Sequence, residues 1–195
     1  MEQDVQDLRT FFGFDIDAPY RIFLAKDHDQ FDAIRGKKVD WAHTKKNIVG
    51  SAMSATEQVI LNPALWSDLS RTYIDLNSLI KHEMAHGYVS WLVGNSSEFT
   101  VDPYCIKPAT EVGTRHYWLD EGIATLASGQ LDDWKRYLSS DFDTHKSFAA
   151  TPSYTALATV IEFLIQKFGK QRLFEVISQL PPTYSAKNDP AIFSL

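Results

Sequence analysis

The sequence predicts an α+β fold in which a small sheet comes first and a set of helices follows. Segments with the alternation and β-branched content of strands all lie before residue 62. After that point, apolar residues recur three and four positions apart, which places them on one face of a helix. Strands followed by helices are typical of a domain whose sheet packs on a helical layer. The 195 residues are enough to bury such a core without disulfides.

The N-terminal part is expected to form two helices and three strands. The helical patterns occupy residues 1–12 and 27–35. The strand patterns occupy residues 19–25, 46–51 and 56–61. We take Gly50 to lie between the last two strands, and Asn62-Pro63 to end the second.

The rest of the chain is expected to be helical. The predicted helices run from near Leu69 to Gly94, and over residues 118–131, 153–168 and 173–180. Residues 95–117 contain two prolines and several small polar residues, so they are expected to form a long connection. Long connections in compact domains are often functional.

Composition argues against several classes of partner. The net charge of −6 disfavours nucleic acid, which needs a basic surface. No apolar run approaches the roughly 18 residues of a membrane span, so no membrane span is expected. The N-terminus lacks the basic and apolar regions of a signal peptide, which favours a cytoplasmic location over a secreted protein whose signal has been removed. The sequence does not indicate the oligomeric state of the protein.

The string His82-Glu83-Met84-Ala85-His86 lies inside the first of these C-terminal helical patterns. Histidines four positions apart share a helix face, so both imidazoles can reach one Zn²⁺ ion. Glu83 stands beside them, where it can accept a proton from a water molecule that the metal activates. The string therefore predicts a catalytic zinc site with Glu83 as the proton acceptor.

A catalytic zinc ion takes three protein ligands and keeps one open position. Val89 and Leu92 occupy the positions where metzincins carry a glycine and a third histidine, which excludes that class. A glutamate on a second helix is the other common source, and Glu121 is available. His116 and Asp120 remain rival ligands; Asp120 could instead orient a ligand histidine through its free ring N–H.

The string Trp118-Leu119-Asp120-Glu121-Gly122-Ile123-Ala124 resembles the third-ligand motif of the gluzincin peptidases. The resemblance implies that Glu121 is the third zinc ligand. It also implies a zincin-like fold: a small N-terminal sheet with helices, packed on a helical C-terminal lobe, with the cleft between them. On this basis residues 1–195 form one peptidase domain, with the active-site helix in an N-terminal lobe (1–94) and a helical lobe over 95–195.

The same resemblance suggests two further correspondences with gluzincin aminopeptidases. Tyr154 matches the tyrosine that hydrogen-bonds the oxyanion of the tetrahedral intermediate, a role for which His116 is the alternative. Residues 50–55 faintly resemble the aminopeptidase strand that pairs with substrate. Ser54 replaces the glutamate that binds the free amine there, which favours an endopeptidase over an aminopeptidase.

The sequence thus predicts a zinc metallopeptidase that acts on peptide or protein substrates with one catalytic Zn²⁺ ion. In size it is similar to the compact peptidase-MA-like hydrolases. The alternative is a catalytically silent module that carries zinc and binds a peptide or protein partner.

Overall fold

The computed structural model describes residues 2–17, 19–36, 38, 41, 49–52, 56–66, 75–94, 117–131 and 154–179. The helices are α1 (Glu2–Phe12), α2 (His28–Arg35), α3 (Leu76–Gly94), α4 (Tyr117–Ala127), α5 (Tyr154–Phe168) and α6 (Lys170–Ser178). The strands are β1 (Arg21–Ala25), β2 (Gly50–Ala52) and β3 (Glu57–Leu61), and a short 3-10 helix spans Pro63–Leu65.

The sheet has the strand order β1-β3-β2, with β3 in the centre. β1 and β3 are parallel, and Phe23 pairs with Val59 at the middle of the register. Parallel neighbours need a crossover connection, and α2 lies within it. β2 and β3 are antiparallel, with Gly50 opposite Ile60 and Ala52 opposite Gln58. Within the described part of the chain, β2 is therefore an edge strand.

Two buried clusters make up the core. The sheet cluster is formed by Ala25, Phe31, Val49, Val59, Ile60, Leu61, Trp66 and Leu79. The helix cluster includes Leu8, Phe12, Met84, Tyr88, Ile123, Ile161 and Phe174. Ile80, near the start of α3, packs against both clusters. Because α3 faces the sheet at one end and the other helices along its length, it links the two halves of the core.

The helix cluster draws residues from both ends of the sequence. The rings of Phe12 and Tyr88 stack with their centroids 4.9 Å apart, and Phe12 also stacks on Phe174 at 5.5 Å. Lys81 on α3 donates to Asp7 on α1 at 2.6 Å. These contacts hold α1 against the helices that follow the sheet.

The mixed α+β class predicted from the sequence is confirmed, with helices in the majority. Two local predictions are wrong. Gly50 does not separate two strands but begins β2, because the ladder with β3 starts opposite Ile60. α4 ends at Ala127, before a turn in which Gly129 has a φ of 82° that suits glycine.

Nowhere in the described ranges does a helix combine the length and the apolarity that crossing a bilayer would require.

Candidate metal centre

Helix α3 carries the histidines and the glutamate of the central motif. Asp75 precedes the helix, and its carboxylate accepts a hydrogen bond from the backbone N–H of Ser78 at 2.9 Å. This bond caps the helix, because an N–H group in the first turn has no acceptor within the helix itself. Two turns further along, His82, Glu83 and His86 are each less than 10% exposed. Buried polar side chains of this kind need partners, because an unpaired buried group is costly.

Helix α4 brings Glu121 to the same place. Its approach to α5 is close at Gly122, where a Cβ atom would lie 2.8 Å from Cγ1 of Ile161 and 2.9 Å from the carbonyl oxygen of Leu157. Gly122 therefore sets the spacing of two helices, and each of them contributes a side chain to the centre: Glu121 from α4 and Tyr154 from α5.

Three electron-rich atoms converge between α3 and α4. Nε2 of His82 lies 3.1 Å from Nε2 of His86. Oε2 of Glu121 lies 3.3 Å from Nε2 of His82 and 3.6 Å from Nε2 of His86. Zinc bonds of about 2.0–2.1 Å in tetrahedral geometry place neighbouring ligand atoms roughly 3.3 Å apart. The triangle therefore has the dimensions of one face of a tetrahedral zinc site.

The hydrogen bonding at Glu121 also fits a cation. Its Oε2 atom is buried and makes no hydrogen bond of acceptable geometry to any residue that the structure describes. A buried carboxylate oxygen normally has a partner. A shared cation between this oxygen and the two ring nitrogens would supply that partner, so the donor set matches a divalent ion such as zinc.

Asp120 does not join the three converging atoms. Its Oδ1 atom lies 2.7 Å from Nδ1 of His86, on the opposite side of the ring from Nε2. A carboxylate oxygen only accepts hydrogen bonds, so we assign the ring proton to Nδ1. In the neutral ring this leaves the Nε2 lone pair free, and Asp120 is positioned to orient the His86 ring rather than to join the three converging atoms.

The charges around the three converging atoms shift the pKa values of His86 and Glu121. Burial by itself lowers the pKa of His86, but the charges of Asp120 and Glu121 outweigh it and raise the pKa to about 10. Burial raises the pKa of Glu121, but the charge of His86 and the interactions with His82 and Tyr154 outweigh it, so the net shift is downward. Without a metal, a proton on His86 thus neutralises part of the negative charge.

Glu83 occupies the side of α3 that faces β2. Burial raises the pKa of its carboxyl group; the charges of His86 and His82 and a hydrogen bond from the backbone N–H of Ala52 oppose this without reversing it. A carboxyl group with a raised pKa is suited to taking and returning a proton near neutral pH.

Tyr154 lies beside the same centre. Its ring stacks on that of His82 with centroids 6.0 Å apart, and hydrogen bonding with Tyr154 helps to lower the pKa of Glu121. The residue as a whole is 39% exposed. Among the predicted site residues, the structure thus brings together His82, Glu83, His86, Glu121 and Tyr154. His116 and Ser54 lie outside the described residues.

Sequence reasoning missed the packing of Gly50, in β2, against Glu83. A Cβ atom on Gly50 would lie 2.6 Å from Oε1 of Glu83, so the strand backbone lies directly against the carboxylate. The signal was available in part: Gly50 and Ala52 are small residues two apart in a strand, which leaves one face of the strand nearly flat.

No protein-family model matches the chain, and neither a curated protein nor a solved structure matches it.

Proposed function

We propose that this chain is a zinc-dependent metallohydrolase of the gluzincin type that cleaves peptide bonds, with one zinc ion held by His82, His86 and Glu121. The zincin-like arrangement, with a substrate cleft between the sheet and the helices, is part of the same proposal.

The convergence of two Nε2 atoms and one carboxylate oxygen within 3.1–3.6 Å carries the proposal. The carboxylate of Glu83 lies in the same buried group and interacts with all three ligand side chains. A purely structural zinc site has four protein ligands. Only three converge among the described residues, and a proton-accepting carboxylate stands beside them.

The side chains have distinct roles in the proposed reaction. A bound zinc ion would act as a Lewis acid, lowering the pKa of water and polarising the substrate carbonyl. Glu83 accepts the proton of the attacking water and later delivers it to the leaving amine. Tyr154 donates a hydrogen bond to the oxyanion that forms as the carbonyl carbon becomes tetrahedral. His116 remains the alternative donor.

Peptides are the proposed substrates because an extended segment can add to the edge of a sheet, and β2 is an edge strand beside Glu83 in the ranges that the structure describes. The proposed cleavage is internal, since Ser54 carries no charge with which to bind a free amine.

Replacing Glu83 by Gln tests the proposal. Glu83→Gln keeps the shape of the side chain but removes its capacity to accept a proton, and it leaves the three ligands intact. We expect the variant to bind one zinc ion per chain, measured by metal analysis, and to lose turnover of a proteome-derived peptide pool, measured by mass spectrometry. The matched control is Glu175→Gln, an exposed change on α6 that should retain both properties.

The outcomes separate the candidate functions. Internal cleavage products that need both zinc and Glu83 support the endopeptidase. Zinc uptake without cleavage of any peptide favours the catalytically silent module. Equal cleavage by Glu83→Gln and the parent would show that the mechanism is wrong.

A further inference from the structure

We propose that Gly50 is a positioning residue for Glu83: the missing side chain on β2 creates the space that holds the carboxylate beside the ligand histidines. The inference rests on the proposed function for its catalytic meaning, but the packing on which it depends can be tested without any substrate.

The contact involves most of the Glu83 side chain. A Cβ atom built on Gly50 would lie 2.6 Å from Oε1, 2.9 Å from Cγ and 3.0 Å from Cδ of Glu83. Carbon atoms in contact normally lie about 3.5–4.0 Å apart, so even the smallest side chain would overlap with Glu83. An alanine at this position would force the carboxylate, the strand or both to move.

Backbone conformation does not explain the glycine. Four described glycines have a positive φ, and a Cβ atom on any of them would meet nothing within 4 Å: Gly13, Gly36, Gly129 and Gly169. Gly50 shows the opposite combination, with an ordinary φ and a severe steric conflict. Space, and not conformational freedom, is therefore the physical reason for glycine here.

The register of the sheet places the relevant groups of β2 toward Glu83. Residues 50 and 52 share one face of the strand, while Ser51 lies on the other, where its Oγ atom accepts a hydrogen bond from Arg35 of α2. The backbone N–H of Leu61 donates to the carbonyl of Val49 at 2.9 Å. Because bonded and non-bonded pairs alternate in an antiparallel ladder, the N–H of Ala52 points away from β3.

The interaction of that N–H with the Glu83 carboxylate lowers the pKa of the carboxyl group. The bare Cα of Gly50 thus leaves room for the Glu83 side chain, and the N–H of Ala52 favours its charged form. A carboxylate positioned in this way is preorganised for proton transfer, and displacement by about 1 Å can lower turnover by roughly 100-fold.

A double-mutant cycle on thermal stability tests the contact directly. Gly50→Ala is made in the parent and in a Glu83→Ala background, where the three atoms nearest to the new Cβ are gone. With zinc in excess, overpacking should lower the Tm of the parent by roughly 3–8 °C. In the Glu83→Ala background the same change should lower the Tm by less than half as much. Ser51→Ala, on the opposite face, should have equal effects in both backgrounds.

Equal effects of Gly50→Ala in both backgrounds, or no effect in either, would overturn the inference. Should Gly50→Ala alone fail to fold, recovery of a folded protein on adding Glu83→Ala supports the contact, and failure to recover contradicts it.

Turnover separates positioning from a general loss of structure. With a peptide that the parent cleaves, folded Gly50→Ala should bind one zinc ion per chain, keep KM within about threefold and lower kcat by roughly 100-fold. Loss of zinc, or an unchanged kcat, would contradict a positioning role. A parent that cleaves no peptide would defeat the proposed function, while the Tm cycle would still decide the contact between Gly50 and Glu83.

Discussion

Nδ1 of His86 lies 2.7 Å from Oδ1 of Asp120, and both side chains are buried. The contact joins α3 to α4 beside the three proposed ligand atoms. It selects the ring tautomer that presents the Nε2 lone pair, and it turns that nitrogen toward Glu121 and His82. His82 differs, because its buried Nδ1 atom has no hydrogen-bond partner among the described residues. The described residues therefore orient the ring of His86 through a hydrogen bond at Nδ1, and they provide no such bond for Nδ1 of His82.

Removal of the Asp120 carboxylate should weaken zinc binding. Asp120→Ala leaves the Nδ1 proton of His86 without its acceptor, and loss of such an acceptor typically costs about 10–100-fold in metal affinity. Competition with a chromogenic chelator would measure the change. Asp120→Asn retains an amide oxygen that can accept the same hydrogen bond, so it should lose less. Asp29→Ala, an exposed change on α2, is the control. If Asp120→Ala binds zinc as tightly as Asp29→Ala does, the orienting role is refuted.

Raising the pH should destabilise the metal-free protein. The pKa of His86 is raised to about 10 in the fold, whereas unfolded histidine titrates near about 6.5. The folded state therefore binds more protons in this window, and the resulting stability is full below about pH 6.5 and is lost as pH rises toward 10. Urea unfolding in a chelator between pH 6.5 and 9.5 would measure the decline.

Zinc should flatten that dependence. Binding requires a neutral ring, so it releases the proton of His86 before the pH is raised. Asp120→Asn, which removes one of the three carboxylate charges that raise the pKa of His86, should reduce the slope in the metal-free protein. A free energy of unfolding that stays constant or rises with pH in the metal-free parent would contradict the assignment of this proton.

Removal of the Tyr154 hydroxyl should slow catalysis without loss of the metal. If the hydroxyl donates to the oxyanion, Tyr154→Phe should lower kcat by about 100-fold and leave zinc content unchanged. Tyr20→Phe removes a phenolic hydroxyl that lies near Tyr88, away from the centre, and serves as the matched control. An unchanged kcat in Tyr154→Phe would assign the oxyanion contact to another donor, with His116 as the first to examine.

Local patterns predicted the elements that carry the centre. Helical periodicity predicted α3 and α4, and the i and i+4 spacing predicted that His82 and His86 share a face. The structure shows that shared face, with the two Nε2 atoms 3.1 Å apart. These predictions succeed because they depend on backbone geometry within one element. The assignment of zinc to the site, and of catalysis to Glu83, remains a prediction.

Predictions about neighbours in space were less complete. The sequence left Asp120 either as a rival ligand or as a partner of a ligand histidine, and only the packing of α4 on α3 placed its carboxylate at Nδ1 of His86. The strand order was also out of reach, because nothing in residues 57–61 indicates that they pair with strands on both sides.

Periodicity and side-chain chemistry were enough to predict the mixed class, the helices and the residue types that a zinc site needs. That Glu121 reaches both histidines, and that the bare Cα of Gly50 lies against Glu83, became visible only in the packing of the folded chain. Such contacts join segments that are far apart in the sequence. The distances between these groups are set by how helices and strands pack, and packing depends on the volumes of side chains from different segments. A local sequence pattern does not show which of those side chains will meet.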